Sequence, residues 1–315
     1  MRIFNSAIVI GSSGFIGTHL CRVLAEKGIE NISKIDIKAT PSIDIRKSFD
    51  IEGNFGENTV IFNLAAVHRT PGHPDDEYFE TNMLGAENVC AFAKKHGIKT
   101  IVFTSSISPY GASEEKKTEE TLPTPNTPYG ISKLVAEHIH KEWAASSADN
   151  FLSIVRPGIV FGKGENGNMT RLYKAMKKRR FAYAGRKDTI KASIYVKDLV
   201  RILLEMAENP RERMQTYNCT YFPAPTIEHI AATMKKATNL DRFTPYIPKM
   251  PLMAVASVAG MFGGLGLGIC PERVRKLMIS TNVIGEKLSR DYPLQFPLYE
   301  AFADWFKDCE GRELA

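Results

Sequence analysis

A glycine-rich turn near the start of the chain constrains its fold more strongly than any other feature. The apolar run at residues 7–10 leads directly into Gly11-Ser-Ser-Gly14-Phe-Ile-Gly17, and a segment with helical spacing follows. Glycines in this order allow a tight turn, a close approach of the backbone to a pyrophosphate and close packing of helix on sheet. The N–H groups at the start of the helix favour an anion there. The turn therefore predicts a dinucleotide site lined by Gly11, Ser13, Gly14, Phe15, Ile16 and Gly17.

The first half of the chain alternates short apolar runs with amphipathic segments of helical length. This alternation is typical of a parallel sheet covered by helices on both faces, so we predict a doubly wound α/β (Rossmann) fold. Gly28 and Gly97 stand where helix C-caps are expected. The predicted strands are residues 7–10, 32–37, 60–64, 100–105 and 151–156, and the predicted helices are residues 15–27, 76–96 and 128–146.

The texture of the sequence changes after residue 160, to loops rich in glycine, asparagine and lysine, a basic helix and a proline-rich C-terminal third. We expect residues 1–160, joined by 189–219, to form the dinucleotide-binding domain. Residues 161–188 and 220–315 are then expected to form a smaller, interleaved substrate lobe. The polar segment 113–127 contains Glu-Glu-Lys-Lys and prolines, which predicts a surface loop.

Composition narrows the cellular setting and the class of ligand. The 41 Lys and Arg exceed the 35 Asp and Glu, and this net charge of +6 suits an anionic small ligand without requiring nucleic acid. The five cysteines form no Cys-x-x-Cys pair, so we expect free thiols, no metal site and a cytoplasmic location, since no signal peptide precedes the glycine turn. The uncharged stretch 250–270 is long enough to cross a bilayer, but its glycines disfavour a spanning helix, so a membrane role is not expected.

An acidic residue at the end of the second predicted strand bears on the cofactor. Asp36 is placed to accept hydrogen bonds from an adenosine ribose, and its carboxylate would repel a 2′-phosphate, so NAD is preferred over NADP. Lys38 and Arg46 lie close by in sequence and soften that preference. Asp44 and Ile45 are expected near the adenine, with a surface aspartate that caps the next helix as an equal alternative.

Three Tyr-x-x-x-Lys pairs occur in the chain, namely Tyr129/Lys133, Tyr173/Lys177 and Tyr183/Lys187. The spacing places both side chains on one helical face, where an ammonium lowers the pKa of the phenol and leaves a phenolate base. Only Tyr129 and Lys133 lie on the next predicted helix after a hydroxyl cluster, Thr104-Ser105-Ser106, that ends a predicted strand. Ligands collect at such strand ends in open α/β sheets, so this pair is the catalytic candidate and the other tyrosines are expected to be packed or on the surface.

A set of short motifs occurs in order along almost the whole chain. After the glycine turn come Asn63-Leu-Ala-Ala66, Thr81-Asn82 with Gly85, Ser105-Ser106 with Tyr110-Gly111, Tyr129-Gly-x-Ser-Lys133, Arg156-Pro157 and Tyr195-Val-Lys-Asp198. Together they resemble the NAD-dependent epimerase/dehydratase family of extended short-chain dehydrogenases, including UDP-sugar 4-epimerases and 4-keto-sugar reductases.

The resemblance implies a role for each matching residue. Ser106 would hydrogen-bond the reacting oxygen, Tyr129 would be the base, and Lys133 would hold the nicotinamide ribose. Extended members commonly form dimers through two helices each, which here would be residues 76–96 and 128–146. The cofactor contacts implied beyond the glycine turn, Asp36, Asp44 and Ile45 are Leu64, Ala65, Ala66, Asn82, Thr104, Ser105, Tyr129, Lys133, Arg156 and Pro157.

The sequence departs from the family pattern where the nucleotide of the substrate would bind. Ile159 replaces an asparagine that meets the phosphates in many sugar epimerases, and Lys191 replaces an arginine, which supplies charge without a bidentate fork. Arg273 or Arg275 matches a second phosphate-binding arginine. Dehydration is not expected, because Ile107-Ser108 stand where dehydratases carry an acid pair. The expected substrate contacts are Ser106, His68, Asn168, Lys191 and Arg273.

These observations favour an NAD-dependent 4-epimerase of a UDP-hexose or UDP-N-acetylhexosamine, working through a 4-keto intermediate. An NAD(P)H-dependent 4-keto-nucleotide-sugar reductase would need the same three catalytic residues. A hydroxysteroid-dehydrogenase-like enzyme, suggested by Arg156-Pro157 and the uncharged stretch, and a non-catalytic NAD-binding regulator are less favoured alternatives.

Overall fold

The computed structural model describes residues 4–68, 72–253 and 278–315. A six-stranded parallel sheet forms its centre, with the strand order β2-β1-β3-β4-β6-β10. These strands are β1 Ser6–Ile10, β2 Asn31–Ile35, β3 Thr59–Asn63, β4 Thr100–Thr104, β6 Phe151–Pro157 and β10 Met214–Cys219. The described helices are α1 Phe15–Glu26, α2 Asp75–Phe79, α3 Gly85–Lys95, α4 Pro128–Ala145, α5 Asn168–Lys177, α6 Val196–Glu208, α7 Ile227–Ala237, α8 Glu286–Asp291 and α9 Leu298–Asp308.

The sheet is doubly wound, as the sequence predicts. From β1 the chain passes to β2 on one side of the sheet and then to β3 on the other side of β1. The strand order therefore reverses beside the C-terminal end of β1, and ligands of open α/β sheets bind at such a switch point. The glycine turn begins at that end of β1.

Alternate residues of each central strand enter two separate apolar cores, because side chains of a strand point to opposite faces. Ala7 and Val9 pack with Leu20 of α1 and with residues of α6. Ile8 and Ile10 pack on the other face with residues of α3 and α4. The strands β1, β3 and β4 are buried along their whole length, so the sheet is a rigid base for the loops at its C-terminal edge.

The predicted elements agree with the observed ones to within a few residues, with two exceptions. The predicted helix 76–96 is divided, since a π-helical turn, Glu80–Leu84, separates α2 from α3. The segment 113–127 was expected to be a surface loop throughout, and this is wrong for its first five residues. Ser113–Lys117 forms a strand, β5, parallel to β12 (Thr281–Val283). Charged side chains do not prevent this pairing, because Glu114, Glu115 and Lys116 are all exposed to solvent while the backbone pairs.

The remaining described strands make small sheets outside the main one. Ile159–Phe161 (β7) pairs with Ser193–Tyr195 (β9), and Tyr183–Gly185 (β8) pairs with Tyr246–Pro248 (β11). The domain boundaries expected from the sequence stay a prediction. Arg273, Arg275 and most of the uncharged stretch 250–270 lie outside the described residues. Within the described ranges, no helix combines the length and apolar character needed to traverse a bilayer.

Candidate active site

The glycine turn has little room for any side chain larger than hydrogen at two positions. Gly11 has φ +82°, and a Cβ there would lie 2.8 Å from the backbone nitrogen of Ala65. A Cβ on Gly17 would lie 2.2 Å from the carbonyl oxygen of Gly11, so this glycine lets α1 pack against the turn. Helix α1 begins after Gly14 with no side-chain cap and no acidic residue in its first turn. Its N-terminal N–H groups are therefore available to an anion.

Asp36 lies beside this turn, one residue after β2. Its Oδ2 accepts a hydrogen bond from the Ser13 backbone N–H at 3.0 Å, and its Oδ1 accepts one from the Lys38 N–H at 2.9 Å. The carboxylate is only half-buried, so it retains lone pairs for a further donor. Its place between the glycine turn and the edge of the sheet is the place expected for a ribose-binding acid.

Asp44 and Ile45 lie in a turn between β2 and β3. The Arg46 side chain binds both carboxylate oxygens of Asp44, and this hydrogen bond is the main cause that lowers the pKa of Asp44. Asp44 also accepts a hydrogen bond from the Arg46 backbone N–H, so it caps a turn. The alternative prediction, that Asp44 caps the next helix, is therefore wrong. Ile45 is buried against Gly85 of α3.

The loop after β3 passes beside the glycine turn, with the Ala65 backbone close to Gly11. The N–H of Leu64 donates to the Ile10 carbonyl at 2.9 Å, which holds the start of this loop against the end of β1. Leu64, Ala65 and Ala66 are half-buried, and the expected substrate residue His68 is exposed at the end of the loop. The backbone of 64–66 thus forms one wall of the space above the glycine turn.

Tyr129 lies in the first turn of α4 and approaches Ser106, which follows β4. Thr127 caps the helix by accepting the Gly130 N–H at 3.1 Å. A Cβ on Gly130 would lie 2.7 Å from the Ser108 carbonyl oxygen, so the glycine allows α4 to come this close to the segment after β4. Burial raises the pKa of the Tyr129 phenol, and a hydrogen bond with the Ser106 side chain lowers it. The two catalytic candidates therefore lie close enough for Ser106 to affect the phenol, while the Ser106 Oγ donates to the Ser108 Oγ at 3.0 Å.

Lys133 lies one helical turn after Tyr129 and is 1% exposed. Its ammonium donates to the Thr104 carbonyl at 2.6 Å and stands 4.3 Å above the centre of the Phe103 ring. Burial lowers the pKa of Lys133 to about 7, and the negative charge of Glu137 opposes that change. Lys133 is thus near its titration point at neutral pH and is positioned at the end of β4.

A buried ion pair lies behind Lys133. The Arg156 Nε donates to Glu137 Oε1 at 2.8 Å and its Nη2 donates to Oε2 at 2.6 Å, while Ser105 donates to the same Oε1 at 2.6 Å. Arg156 also donates to the Tyr110 hydroxyl, which in turn donates to Asn218. Ser105 and Arg156 were expected to contact the cofactor, but their side chains are committed to Glu137. The backbone of Pro157, which accepts from the Ile107 N–H, holds the same strand end.

Asn82 lies in the π-helical turn and reaches the first turn of α4. Its Nδ2 donates to the Ser132 Oγ at 2.9 Å, and that hydroxyl donates to the Tyr129 carbonyl at 3.0 Å. The Oδ1 of Asn82 is buried and has no hydrogen-bond partner among the described residues, and the same holds for the Thr104 Oγ1. Buried polar atoms are rarely left unpaired, so these two acceptors fit a bound group with donors of its own. π-helical turns are frequent at functional sites.

Among the described residues, the expected substrate residues do not contact one another through their side chains. The Lys191 ammonium donates to the Ile279 carbonyl at 2.9 Å, and burial lowers its pKa. Asn168 is exposed at the start of α5, where it accepts from Arg171. The Glu165 carboxylate accepts the Thr170 N–H and so already occupies the N-terminus of that helix. Arg273 lies outside the described residues.

The two other Tyr-x-x-x-Lys pairs have structural partners. Tyr173 is buried in the apolar core, and Lys177 forms an ion pair with Glu313. Tyr183 is buried beneath Lys187, whose ammonium lies 5.4 Å from the ring centre and pairs with Glu228. Neither tyrosine has a serine beside it of the kind that Ser106 provides for Tyr129.

Sequence analysis missed Glu137 and His140, which both face inward from α4. Glu137 follows Lys133 by four residues, and this helical spacing is the signal that could have placed it on the same face. His140 stacks on Phe103, and its Nε2 lies 3.2 Å from the Asn63 Nδ2. Burial lowers the pKa of His140 to about 4, so the neutral ring supports Asn63 at the end of β3.

Comparison with known proteins agrees with this arrangement. The model of the NAD dependent epimerase/dehydratase family matches residues 7–220, which is more than half of the chain. The chain belongs to this family and is an NAD-dependent enzyme.

Individual relatives are epimerases at low identity. An Escherichia coli O157:H7 protein, N-acetyl-alpha-D-glucosaminyl-diphospho-ditrans,octacis-undecaprenol 4-epimerase, is 29% identical over 266 residues, with 82% of this chain and 78% of the relative covered. The UDP-glucose 4-epimerase of Vibrio cholerae is 27% identical over 232 residues, covering 68% and 70% of the two chains.

Solved structures share the fold over nearly the full chain. The UDP-glucuronic acid 4-epimerase of Bacillus cereus in complex with NAD has a TM-score of 0.71 at 18% identity, covering 98% of both chains. The UDP-N-acetylglucosamine 4-epimerase of the same organism has a TM-score of 0.70 at 18% identity, covering 97% and 99%. The human epimerase family protein SDR39U1 with NADPH has a TM-score of 0.72 at 18% identity, covering 96% and 99%.

Proposed function

We propose that this chain is a 4-epimerase that inverts a hexose or N-acetylhexosamine attached to a diphosphate, with UDP-sugars as its first candidate substrates. The observation that carries the proposal is the placement of Ser106 beside Tyr129, where it lowers the pKa of the phenol, with Lys133 one turn further along the same helix. The relatives from E. coli and V. cholerae support it, because both are named as 4-epimerases of diphosphate-linked sugars.

The residues around the glycine turn fit NAD. The uncapped start of α1 suits the pyrophosphate, Asp36 suits the adenosine ribose, and the unpaired Asn82 Oδ1 suits a donor near Tyr129. When bound, NAD supplies an acceptor and donor of hydride at its nicotinamide ring. NADP remains the second choice, since Asp36 disfavours a 2′-phosphate while Lys38 lies two residues away.

Tyr129 is the proton carrier in this mechanism. Its phenolate accepts the proton of the sugar C4 hydroxyl while Ser106 holds the C4 oxygen by a hydrogen bond. The product of this half-reaction is a 4-keto sugar, and Ser106 keeps its carbonyl beside Tyr129. After the sugar presents its other face, Tyr129 returns the proton to the C4 oxygen and the opposite configuration results. The segment after Ser106 offers no acid for dehydration, because Ile107 and Ser108 occupy it.

The sugar is expected to bind above Tyr129, with its diphosphate toward residues 161–188 and 220–315, the segments that we assign to a substrate lobe. His68, Asn168, Lys191 and Arg273 stay the predicted contacts there. Lys191, which lies between these two segments in the sequence, supplies charge without a rigid fork, so the diphosphate would be held more loosely than by an arginine. A homodimer also stays a prediction, and the exposed Leu84 and Ile131, on neighbouring helical segments, are its candidate contacts.

The test is to incubate the purified protein with UDP-N-acetylglucosamine and UDP-glucose without added cofactor, and to follow the anomeric protons by NMR. Appearance of the galacto epimers supports an epimerase that retains NAD. Tyr129→Phe should abolish conversion, whereas Tyr173→Phe, a buried tyrosine of another Tyr-x-x-x-Lys pair, should keep it. Consumption of NADH or NADPH only with a 4-keto nucleotide-sugar would assign the protein to the reductases instead.

A further inference from the structure

An exposed surface of mixed basic and apolar character lies around β8 and β11, outside the catalytic site. We call it the basic–apolar surface and define it as residues 174–187 and 242–250. The two strands are parallel neighbours in register, with Tyr183 opposite Tyr246 and Gly185 opposite Pro248. The Tyr183 N–H also donates to the Pro245 carbonyl at 2.9 Å, so the segments leading into the two strands are joined as well.

The apolar part of this surface is exposed to an unusual degree. The Phe243 side chain is 88% exposed and Met250 is 80% exposed, and Tyr246 and Ile247 between them are exposed too. Contiguous apolar side chains in water are unfavourable, and such groups mark surfaces that meet a partner or a membrane. These four residues lie within eight positions of one another on a short segment whose strand β11 pairs with β8, and the Lys235 ammonium donates to the Arg242 carbonyl in the same segment.

The basic part is a run of cations without a single acid. Between positions 174 and 187 the sequence has no Asp or Glu, and its basic residues are Lys174, Lys177, Lys178, Arg179, Arg180, Arg186 and Lys187. Three of these cations have acidic partners: Lys177 pairs with Glu313, Lys187 pairs with Glu228, and Arg186 pairs with both Glu114 and Asp188. The exposed triplet Lys178, Arg179 and Arg180 forms no ion pair with any described residue.

The strand register brings the two parts together. Arg180 precedes Tyr183 by three residues, and Phe243 precedes the paired Tyr246 by three residues. Because the two strands are parallel, the unpaired cations and the exposed Phe243 ring lie at the same end of the strand pair. Arg242 and Lys249, both exposed, flank the apolar segment. Apolar side chains bracketed by uncompensated Lys and Arg are the composition of surfaces that insert into the interface of an anionic bilayer.

We propose that the basic–apolar surface docks this enzyme on an anionic lipid bilayer, and that the diphosphate-linked sugar it epimerises is carried by a membrane lipid. The second part rests on the function proposed above, whereas the first part stands on the surface alone. Phe243 and Met250 enter the acyl boundary, and the triplet at 178–180 meets lipid phosphates. No spanning helix is required for such an attachment, since the protein lies on one leaflet.

The test is co-sedimentation of the full chain with phosphatidylcholine vesicles that either contain or lack phosphatidylglycerol. The protein should sediment with the anionic vesicles only, and high salt should release it. Neutralising Lys178, Arg179 and Arg180 together to Gln should weaken binding by about a hundredfold, because each basic side chain at such a surface contributes roughly a factor of five. Phe243→Ser with Met250→Ser should weaken it by at least about tenfold.

A charge-matched control separates a local surface from a general effect of net charge. The control changes three exposed lysines of the dinucleotide-binding domain to Gln, namely Lys34, Lys47 and Lys94. It removes the same charge as the triple variant at 178–180. This control should keep its vesicle binding. Equal losses in both triple variants, or a surface-dependent dimer in place of vesicle binding, would overturn the docking proposal. Thermal unfolding of each variant shows whether it has folded.

Epimerisation assays then test the lipid carrier. N-Acetylglucosaminyl diphosphate on a polyprenol in the same vesicles should be converted by the wild type and much more slowly by both surface variants. The same sugar diphosphate on a short, water-soluble prenol should be converted equally by all of them. Turnover of UDP-N-acetylglucosamine with neither vesicle binding nor lipid-linked turnover would refute the inference and leave the proposed function standing. Vesicle binding without turnover of any sugar diphosphate would refute the function instead.

Discussion

The carboxylate of Glu137 and the guanidinium of Arg156 form a bidentate pair, 2.8 and 2.6 Å long, in the protein interior behind the proposed catalytic residues. The pair joins α4, which carries Tyr129 and Lys133, to β6 at the C-terminal edge of the sheet. It therefore fixes the distance between the helix of the proposed base and the strand ends where we propose that the substrate binds.

Removing one partner of this pair should be costly. Glu137→Gln leaves the Arg156 charge buried without a counter-charge, and we expect the free energy of unfolding to fall by about 3–5 kcal/mol. Denaturant unfolding measures the loss. Glu142→Gln on the same helix changes an exposed side chain and should have little effect. Equal stabilities of the two variants would contradict the role given to the pair.

Lys133 should make stability depend on pH above neutrality. Its folded-state pKa is lowered to about 7 by burial, against an ordinary value of 10.5. Between these values the unfolded chain holds a proton that the folded chain has released, so stability rises with pH by at most about 1.4 kcal/mol per unit. Below pH 7 the Lys133 side chain is charged in both the folded and the unfolded state. The stability of the folded state is then lowered by the full cost of burying that charge.

Comparison with Lys133→Met isolates this contribution. The stability of the wild type should rise relative to the variant between pH 7 and 10, as measured by urea unfolding at each pH. Curves that stay parallel over this range would show that Lys133 is not titrating in the folded protein.

Ser106 should tune the base. Burial raises the pKa of Tyr129 and the Ser106 hydrogen bond lowers it, so Ser106→Ala removes the lowering effect. The rise of kcat with pH should then move to higher pH, and kcat at neutral pH should fall by about 10²-fold or more. Ser289→Ala removes an exposed hydroxyl on α8, far from Ser106 in sequence, so its pH profile should match the wild type. A Ser106→Ala profile with an unchanged midpoint would assign Ser106 to substrate binding alone.

Asp36 should set the choice between NAD and NADP. Asp36→Ala removes a negative charge from the site expected for the ribose, and the ratio of NADP to NAD affinity should rise by about tenfold. Fluorescence titration of the cofactor-free protein with NADH and NADPH measures this ratio. Asp149→Ala, at an exposed position after α4, is the control. If both variants keep the wild-type ratio, another residue determines the choice.

The glycine turn and the order of the strands could be predicted from the sequence because their causes are local. Gly11 needs φ +82° and Gly17 must admit a carbonyl oxygen, and these demands fix the residue type whatever surrounds them. The alternation of apolar runs fixed the position of the strands in the same way. The spacing to Lys133 singled out Tyr129, and the role of Ser106 came from resemblance. Their approach to each other depends on Gly130 lying against Ser108.

Helical spacing places Glu137 on the face of Lys133, but its burial and its pairing could not be recognised in this way, because a glutamate on an amphipathic helix is usually exposed. Only the tertiary structure brings Arg156 of a neighbouring strand to it. Likewise, the charged segment of β5 acquires its structure from Thr281–Val283, more than 160 residues away in sequence. The backbone pairing of so polar a strand has no signature in hydrophobic periodicity.

The most direct test of the proposed chemistry is to follow a substrate that carries deuterium at C4 of its sugar, incubated with the protein without added cofactor and analysed by mass spectrometry and NMR. Chemistry through a 4-keto sugar at Tyr129 predicts that the epimer keeps the deuterium at C4, that the rate shows a primary isotope effect, and that Tyr129→Phe gives no product. Loss of the label to solvent during inversion, or unchanged turnover in Tyr129→Phe, would contradict the account.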